Sequence, residues 1–201
     1  MRMAENAVRK SQIGFLFIFI GSSPAEASTV PSMSTSELRE RVFTLIYSQK
    51  KTEEAILQLN RIIKETPERS DAIALKAYAL NKLANSRREW KYSEHALENA
   101  NKALALNPDD DMALTSKGWA LIDLGRAQEA IAALERATKL DPGNEYAWYN
   151  LAWAQYLTGN PTASTGSIQR ALQISPGNAI IKRGRDMMKN GVIPNHLKKK
   201  L

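Results

Sequence analysis

Between residues 111 and 144 the apolar positions fall into two stripes, Leu114, Leu121 and Leu124 in the first half and Ile131, Leu134 and Leu140 in the second. Such spacing gathers side chains on one face of an α-helix, so the segment predicts two helices. Small residues, Gly118, Ala130 and Ala137, stand where the two must approach closely. Gly125 supplies a left-handed stop for the first helix, and Pro142 ends the second. The apolar faces of such a hairpin are too wide for two helices to bury alone, so the pattern predicts stacking on neighbours.

The neighbours are visible as repetition. Residues 117–125, KGWALIDLG, restate residues 76–84, KAYALNKLA, at an offset of 41. Pro108, Pro142 and Pro176 are 34 residues apart, and Pro67 lies 41 before Pro108. A fixed period in this range marks stacked repeats. The division that follows is four hairpins, residues 36–69, 70–110, 111–144 and 145–178. In the second, seven extra residues around 85–91, NSRREWK, are expected as a lengthened turn. Ser34 with Glu37 three later reads as a capping box at the start of the first helix. Residues 179–191 read as a capping helix, with Ile180, Ile181, Gly184, Met187 and Met188 on one face and Asn190-Gly191 as the stop. The expected fold is all-α, a solenoid of antiparallel hairpins.

The hairpin of residues 111–144 resembles the tetratricopeptide repeat, whose 34-residue pattern has small residues, Ala and Pro where this chain has Gly118, Ala130, Ala137 and Pro142. Residues 145–178 match with Trp148, Leu151, Ala152, Gly159, Ala171 and Pro176, and depart at Gln155 and Ser164. The second unit matches at Ala77, Ala96, Ala103 and Pro108. The first is a degraded copy, recognisable by EEAI at 53–56 and by Pro67. The resemblance implies a right-handed superhelix whose inner groove, lined by the first helix of each hairpin, holds a peptide segment of a protein partner. Groove positions carried over are Tyr78, Asn81 and Lys82, then Thr115, Trp119, Ile122 and Asp123, then Tyr146, Tyr149, Asn150, Trp153 and Tyr156. Aromatic rings there offer large contact area with a polar handle, and Asn150 could add a bidentate amide contact. The competing reading is that the rings pack between successive helices, which fits the all-round apolar helix containing Tyr146 and Leu157 and is favoured for Trp148. The lysine, arginine and asparagine clamp of chaperone-binding relatives is absent, since Leu75, Tyr78, Ser116 and Tyr146 stand at its places.

Composition and charge narrow the picture. With no cysteine among 201 residues there is no disulfide framework and no sulfur-ligated zinc site. Residues 1–27 carry Arg2, Arg9 and Lys10, a short apolar run, then Ala25-Glu26-Ala27, which together form a secretory signal. The expectation is a cleaved leader, a linker at 28–35 and an exported protein in a periplasm, cell exterior or organelle lumen; the alternative is an uncleaved membrane anchor. The net charge is +7. Beyond residue 178, Lys182, Arg183, Arg185, Lys189 and Lys198–Lys200 face Asp186 alone, leaving residues 28–178 neutral. The excess is therefore an end effect at the basic tail, residues 192–201, and nucleic-acid or anionic-surface binding is a lesser alternative. Arg87, Arg88, Trp90 and Lys91 form a secondary candidate surface on the inserted turn. The histidines, His95 and His196, share no metal-ligating spacing, and no phosphate loop, nucleophile elbow or paired carboxylates stand out. Asp109-Asp110-Asp111 reads as helix capping. The expectation is no catalysis, no cofactor, no metal and no small-molecule substrate. The partner is a protein or peptide, and a self-associating structural role is the main alternative.

Overall fold

A computed structural model describes residues 33–194 and Leu197. The expected signal, most of the linker and Lys198–Lys200 lie outside the described residues. Within them the chain is all-helical: α1 (Thr35–Phe43) running into a π-helical turn (Thr44–Ser48), α2 (Thr52–Glu65), α3 (Ser70–Arg87), α4 (Lys91–Leu106), α5 (Asp111–Asp123), α6 (Ala127–Leu140), α7 (Glu145–Leu157), α8 (Pro161–Ile174) and α9 (Ala179–Lys189). Among the described residues no helix is long and apolar enough to cross a membrane.

The helices pair as α3 with α4, α5 with α6 and α7 with α8, and each pair packs on the next. In addition α3 lies against α5 and α5 against α7, whereas the even-numbered helices lack comparable contact. The odd-numbered row is therefore the inner, concave side. Its helices are enclosed almost all round: α5 buries Met112, Ala113, Leu114, Thr115 and Ser116 in succession, while α6 buries one stripe, Ala127, Ala130, Ala133, Leu134, Ala137 and Thr138.

Local chemistry sets the boundaries. The capping box at Ser34 is present, with Glu37 N–H donating to Ser34 Oγ at 3.3 Å and Ser34 N–H to Glu37 Oε2 at 2.8 Å. Asp110 caps α5, its Oδ1 accepting from Ala113 N–H at 2.9 Å, and Asn144, Asn160 and Asn178 cap α7, α8 and α9. Gly125 and Gly159 end α5 and α7 at φ of 77° and 79°.

The extra residues of the second hairpin correct an expectation. They do not lengthen the turn. α3 has 18 residues against 13 in α5 and α7, and α4 has 16 against 14 in α6 and α8, so the helices absorb the insertion. Asn85-Ser86-Arg87 contains no breaker, and the helix continues until Arg88, which takes the left-handed conformation at φ 58°.

At the far end α9 lays Ile181 and Gly184 against the stack, while Ile180 stands exposed despite its place in the expected apolar face. Ile181 joins a buried cluster with Ala152, Ile168 and Ala171. A Cβ at Gly184 would lie 2.5 Å from Tyr149 Cε2, so only glycine lets α9 sit this close to α7.

Candidate functional site: an aromatic concave face

The concave face carries two groups of rings. The first links three hairpins. Phe43 at the end of α1 meets Tyr47 edge-on at a centroid separation of 6.0 Å, and Tyr78 of α3 at 5.4 Å. Tyr78 in turn meets Trp119 of α5 edge-on at 6.0 Å. The Tyr47 and Tyr78 hydroxyls hydrogen-bond to each other. From α7, Tyr146 and Glu145 act electrostatically on both tyrosines. Burial pushes the Tyr47 hydroxyl up to about 12, and burial together with Tyr47 raises Tyr78. Both therefore remain neutral donors and acceptors at ordinary pH.

Tyr47 owes its position to the π-helical turn. Gln49 N–H reaches back to Thr44 carbonyl at 3.1 Å and Lys51 N–H to Leu45 carbonyl at 2.8 Å, so the turn is wider than α-helical. Lys50 follows at φ 55°. Tyr47 remains 42% exposed, and Lys82 Nζ lies 4.7 Å above its ring, a cation–π contact. Burial lowers the Lys82 ammonium below its usual range. Beside these two residues, between the start of α2 and the end of α3, opens a cleft of about 830 Å³ lined by charges of both signs, Lys50, Lys51 and Arg87 with Glu53 and Glu54.

The second group lies wholly on α7. Trp153 meets Tyr149 edge-on at 6.4 Å and Tyr156 at 5.9 Å. Its central ring is covered. Tyr149 is pressed beneath Gly184 of α9, and burial raises its hydroxyl. Trp153 is 5% exposed and belongs to one buried cluster with Ile122 of α5 and Leu197.

The expected groove residues therefore divide. Trp119 and Tyr146 are half-buried and belong to the open group. Tyr78 is buried, with its hydroxyl tied to Tyr47. Asn81 is fully enclosed and donates its Nδ2 to Ser116 carbonyl at 2.8 Å, so its amide ties α3 to α5. Asn81 Oδ1 and Ser116 Oγ are left without hydrogen-bond partners among the described residues. Asn150 and Trp153 are buried, Tyr149 and Tyr156 half-buried. Trp148 lies between helices and donates its Nε1–H to Pro142 carbonyl at 3.1 Å.

Arg87, Arg88, Trp90 and Lys91 do not form a free loop, because the helices take up the extra residues. Arg87 pairs with Glu53 of α2, Arg88 caps α3, Trp90 stands exposed ahead of α4, and Lys91 pairs with Glu89 at 2.6 Å. Sequence reasoning missed Phe43 and Tyr47, which sit four residues apart in the degraded first unit; that spacing was the available signal. Among the described residues no group of three or more histidine, cysteine, aspartate or glutamate side chains could hold a metal ion.

Comparison with known proteins agrees with this architecture. The tetratricopeptide repeat family model matches residues 93–145 and 115–179. Residues 93–179 thus carry tetratricopeptide repeats, a repeat class that serves as a scaffold for protein–protein interaction. No curated protein matches it in sequence. Among solved structures it is similar to TTC0263, a thermophilic TPR protein of Thermus thermophilus, at 18% identity and a TM-score of 0.63, over 78% of this chain and 82% of that one. MamA 41-end from Desulfovibrio magneticus RS-1 matches at 19% identity and a TM-score of 0.54, over 84% and 94%. A mutant O-GlcNAc transferase of Thermobaculum terrenum matches at 16% and 0.54, over 71% of this chain but 27% of that one. Identities this low speak to the fold alone.

Proposed function

We propose that the protein is a non-catalytic adaptor acting outside the cytoplasm, holding a peptide segment of a protein partner against the open aromatic group of its concave face. The observation that carries this reading is the chain of rings Phe43, Tyr47, Tyr78 and Trp119, which joins three hairpins and has, beside Tyr47 and Lys82 at one end, a cleft of about 830 Å³. Rings tied to one another are a rigid surface, so a ligand orders little of the protein on binding. Neutral tyrosine hydroxyls and the Lys82 ammonium supply polar contacts at its edge. Export rests on the basic, apolar, small-residue pattern of residues 1–27. It favours partners in the assembly of an envelope, secretion, pilus or membrane complex.

The test is crosslinking in the envelope fraction of the native host, then purification of the protein and identification of what it holds. Wild type is compared with the Trp119→Ala/Tyr146→Ala variant, whose two rings are half-exposed, with folding checked by circular dichroism. Trp153→Ala is a poor probe, since truncating so buried a ring costs about 3–5 kcal/mol in stability. A discrete set of exported or membrane proteins that the folded variant loses supports the adaptor. Capture that survives the variant, or recovery of the protein alone, assigns the rings to packing and favours self-association. Recovery from a cytoplasmic fraction alone contradicts the location.

A further inference from the structure

After α9 the chain reverses. Gly191 N–H donates to Met188 carbonyl at 3.2 Å and Val192 N–H to Met187 carbonyl at 2.8 Å. Leu197 N–H donates to Pro194 carbonyl at 2.9 Å. Chain ends fray unless something ties them down. Here the tie is apolar. Leu197 is 5% exposed and shares its buried cluster with Ile122 and Trp153, and Ile193 packs against the same cluster. Ile122 and Trp153 stand at groove positions of α5 and α7, whereas the end of the stack is already covered by α9. The returning segment thus lies on the binding face of the repeats and helps to bury Trp153, the central ring of the α7 group.

We propose that Ile193 and Leu197 are a built-in, displaceable occupant of this half of the concave face, for which a partner segment with two large apolar side chains four residues apart competes. The inference rests on the concave face being a peptide site. Among the described residues two side chains of the segment make the contact, and it hangs from a short connection to α9, so its local concentration is on the order of millimolar. A tethered ligand of that kind needs little intrinsic affinity to stay bound, and a longer partner segment that also reaches the open rings outcompetes it. The occupant sets the specificity of the face by excluding segments that bind no better than it does.

The test uses the full chain labelled with nitrogen-15 and follows the Trp153 indole resonance, assigned with Trp153→Phe. In the Ile193→Ser/Leu197→Ser variant that resonance is expected to leave its wild-type position. Titration with a synthetic peptide of residues 190–201 then returns it saturably towards that position. The wild-type chain responds at peptide concentrations roughly tenfold higher, or beyond reach. An unmoved indole in the double variant means that the segment does not occupy the face. An indole that moves but is not restored by the peptide means that the segment is fixed core rather than a separable ligand. Either result overturns the proposal. Capture through Trp119 and Tyr146 is measured independently, so failure here is distinguishable from failure of the adaptor reading.

Discussion

Replacing Gly118 by alanine separates close helix packing from ordinary helix propensity. In the interior of an open helix, glycine to alanine stabilises by about 1 kcal/mol. At Gly118 the new Cβ would lie 2.3 Å from Leu134 Cγ and 2.6 and 2.8 Å from its two Cδ atoms. Leu134 is fully buried, so it has no free volume into which to turn. Overpacking of this kind costs about 1–3 kcal/mol, and three overlaps argue for the upper end. The net expectation is a loss of about 2 kcal/mol, read in urea unfolding followed by far-ultraviolet circular dichroism, or as a fall of several degrees in Tm. Two comparisons sharpen the result. Gly166 in α8 has nothing within 4 Å of a built Cβ, so Gly166→Ala is expected to stabilise by about 1 kcal/mol. Leu134→Ala alone costs about 2–5 kcal/mol, and in its presence Gly118→Ala should lose its penalty. Because Trp119 follows Gly118, a displaced α5 should also disturb the 6.0 Å contact between Trp119 and Tyr78. Stabilisation by Gly118→Ala, or a penalty unchanged beside Leu134→Ala, would refute the reasoning.

Two further expectations follow from the second hairpin. Arg88 holds a left-handed φ of 58°, costly for a residue with a Cβ, so Arg88→Gly is expected to stabilise by about 1 kcal/mol in the same unfolding assay. Burial alone would raise the Asp71 carboxyl, but hydrogen bonds from Arg69 and Thr35 and the Arg69 charge hold it below the usual 3.8. A carboxyl whose pKa is lower folded than unfolded contributes stability above its unfolded pKa and loses it as the pH falls through the folded one. Asp71→Asn is therefore expected to cost about 1–2 kcal/mol at neutral pH. The difference from wild type should disappear below the carboxylate range.

The hairpins were legible because their signals are local. Pro108, Pro142 and Pro176 mark the period, Gly125 and Gly159 the turns, and Gly118 the close approach. Position-to-face assignment worked one hairpin at a time and could not see what else covers the face. That is why Asn81, tied to Ser116 carbonyl, and Trp153, sealed beside Leu197, look in sequence like Trp119 and Tyr146. Ile193 and Leu197 flank a proline in a short stretch with no helical period, so nothing local announces their burial. The offset of 41 residues shows an insertion but not whether helix or loop absorbs it; the lack of glycine and proline in NSRREWK was the clue that the helices extend. Phe43 and Tyr47 were hidden because the first unit departs from the repeat, and its π-helical turn aims Tyr47 by backbone geometry that no repeat pattern encodes.

The most direct measurement places a photo-crosslinking side chain at Trp119 on the concave face and, separately, at the exposed Arg136 on α6, each in the full chain in its native host. If the open rings hold a partner segment, position 119 yields a discrete crosslinked product and position 136 does not. Product from position 136 alone, or from neither position while the protein still crosslinks to its own copies elsewhere, would contradict binding through the concave face.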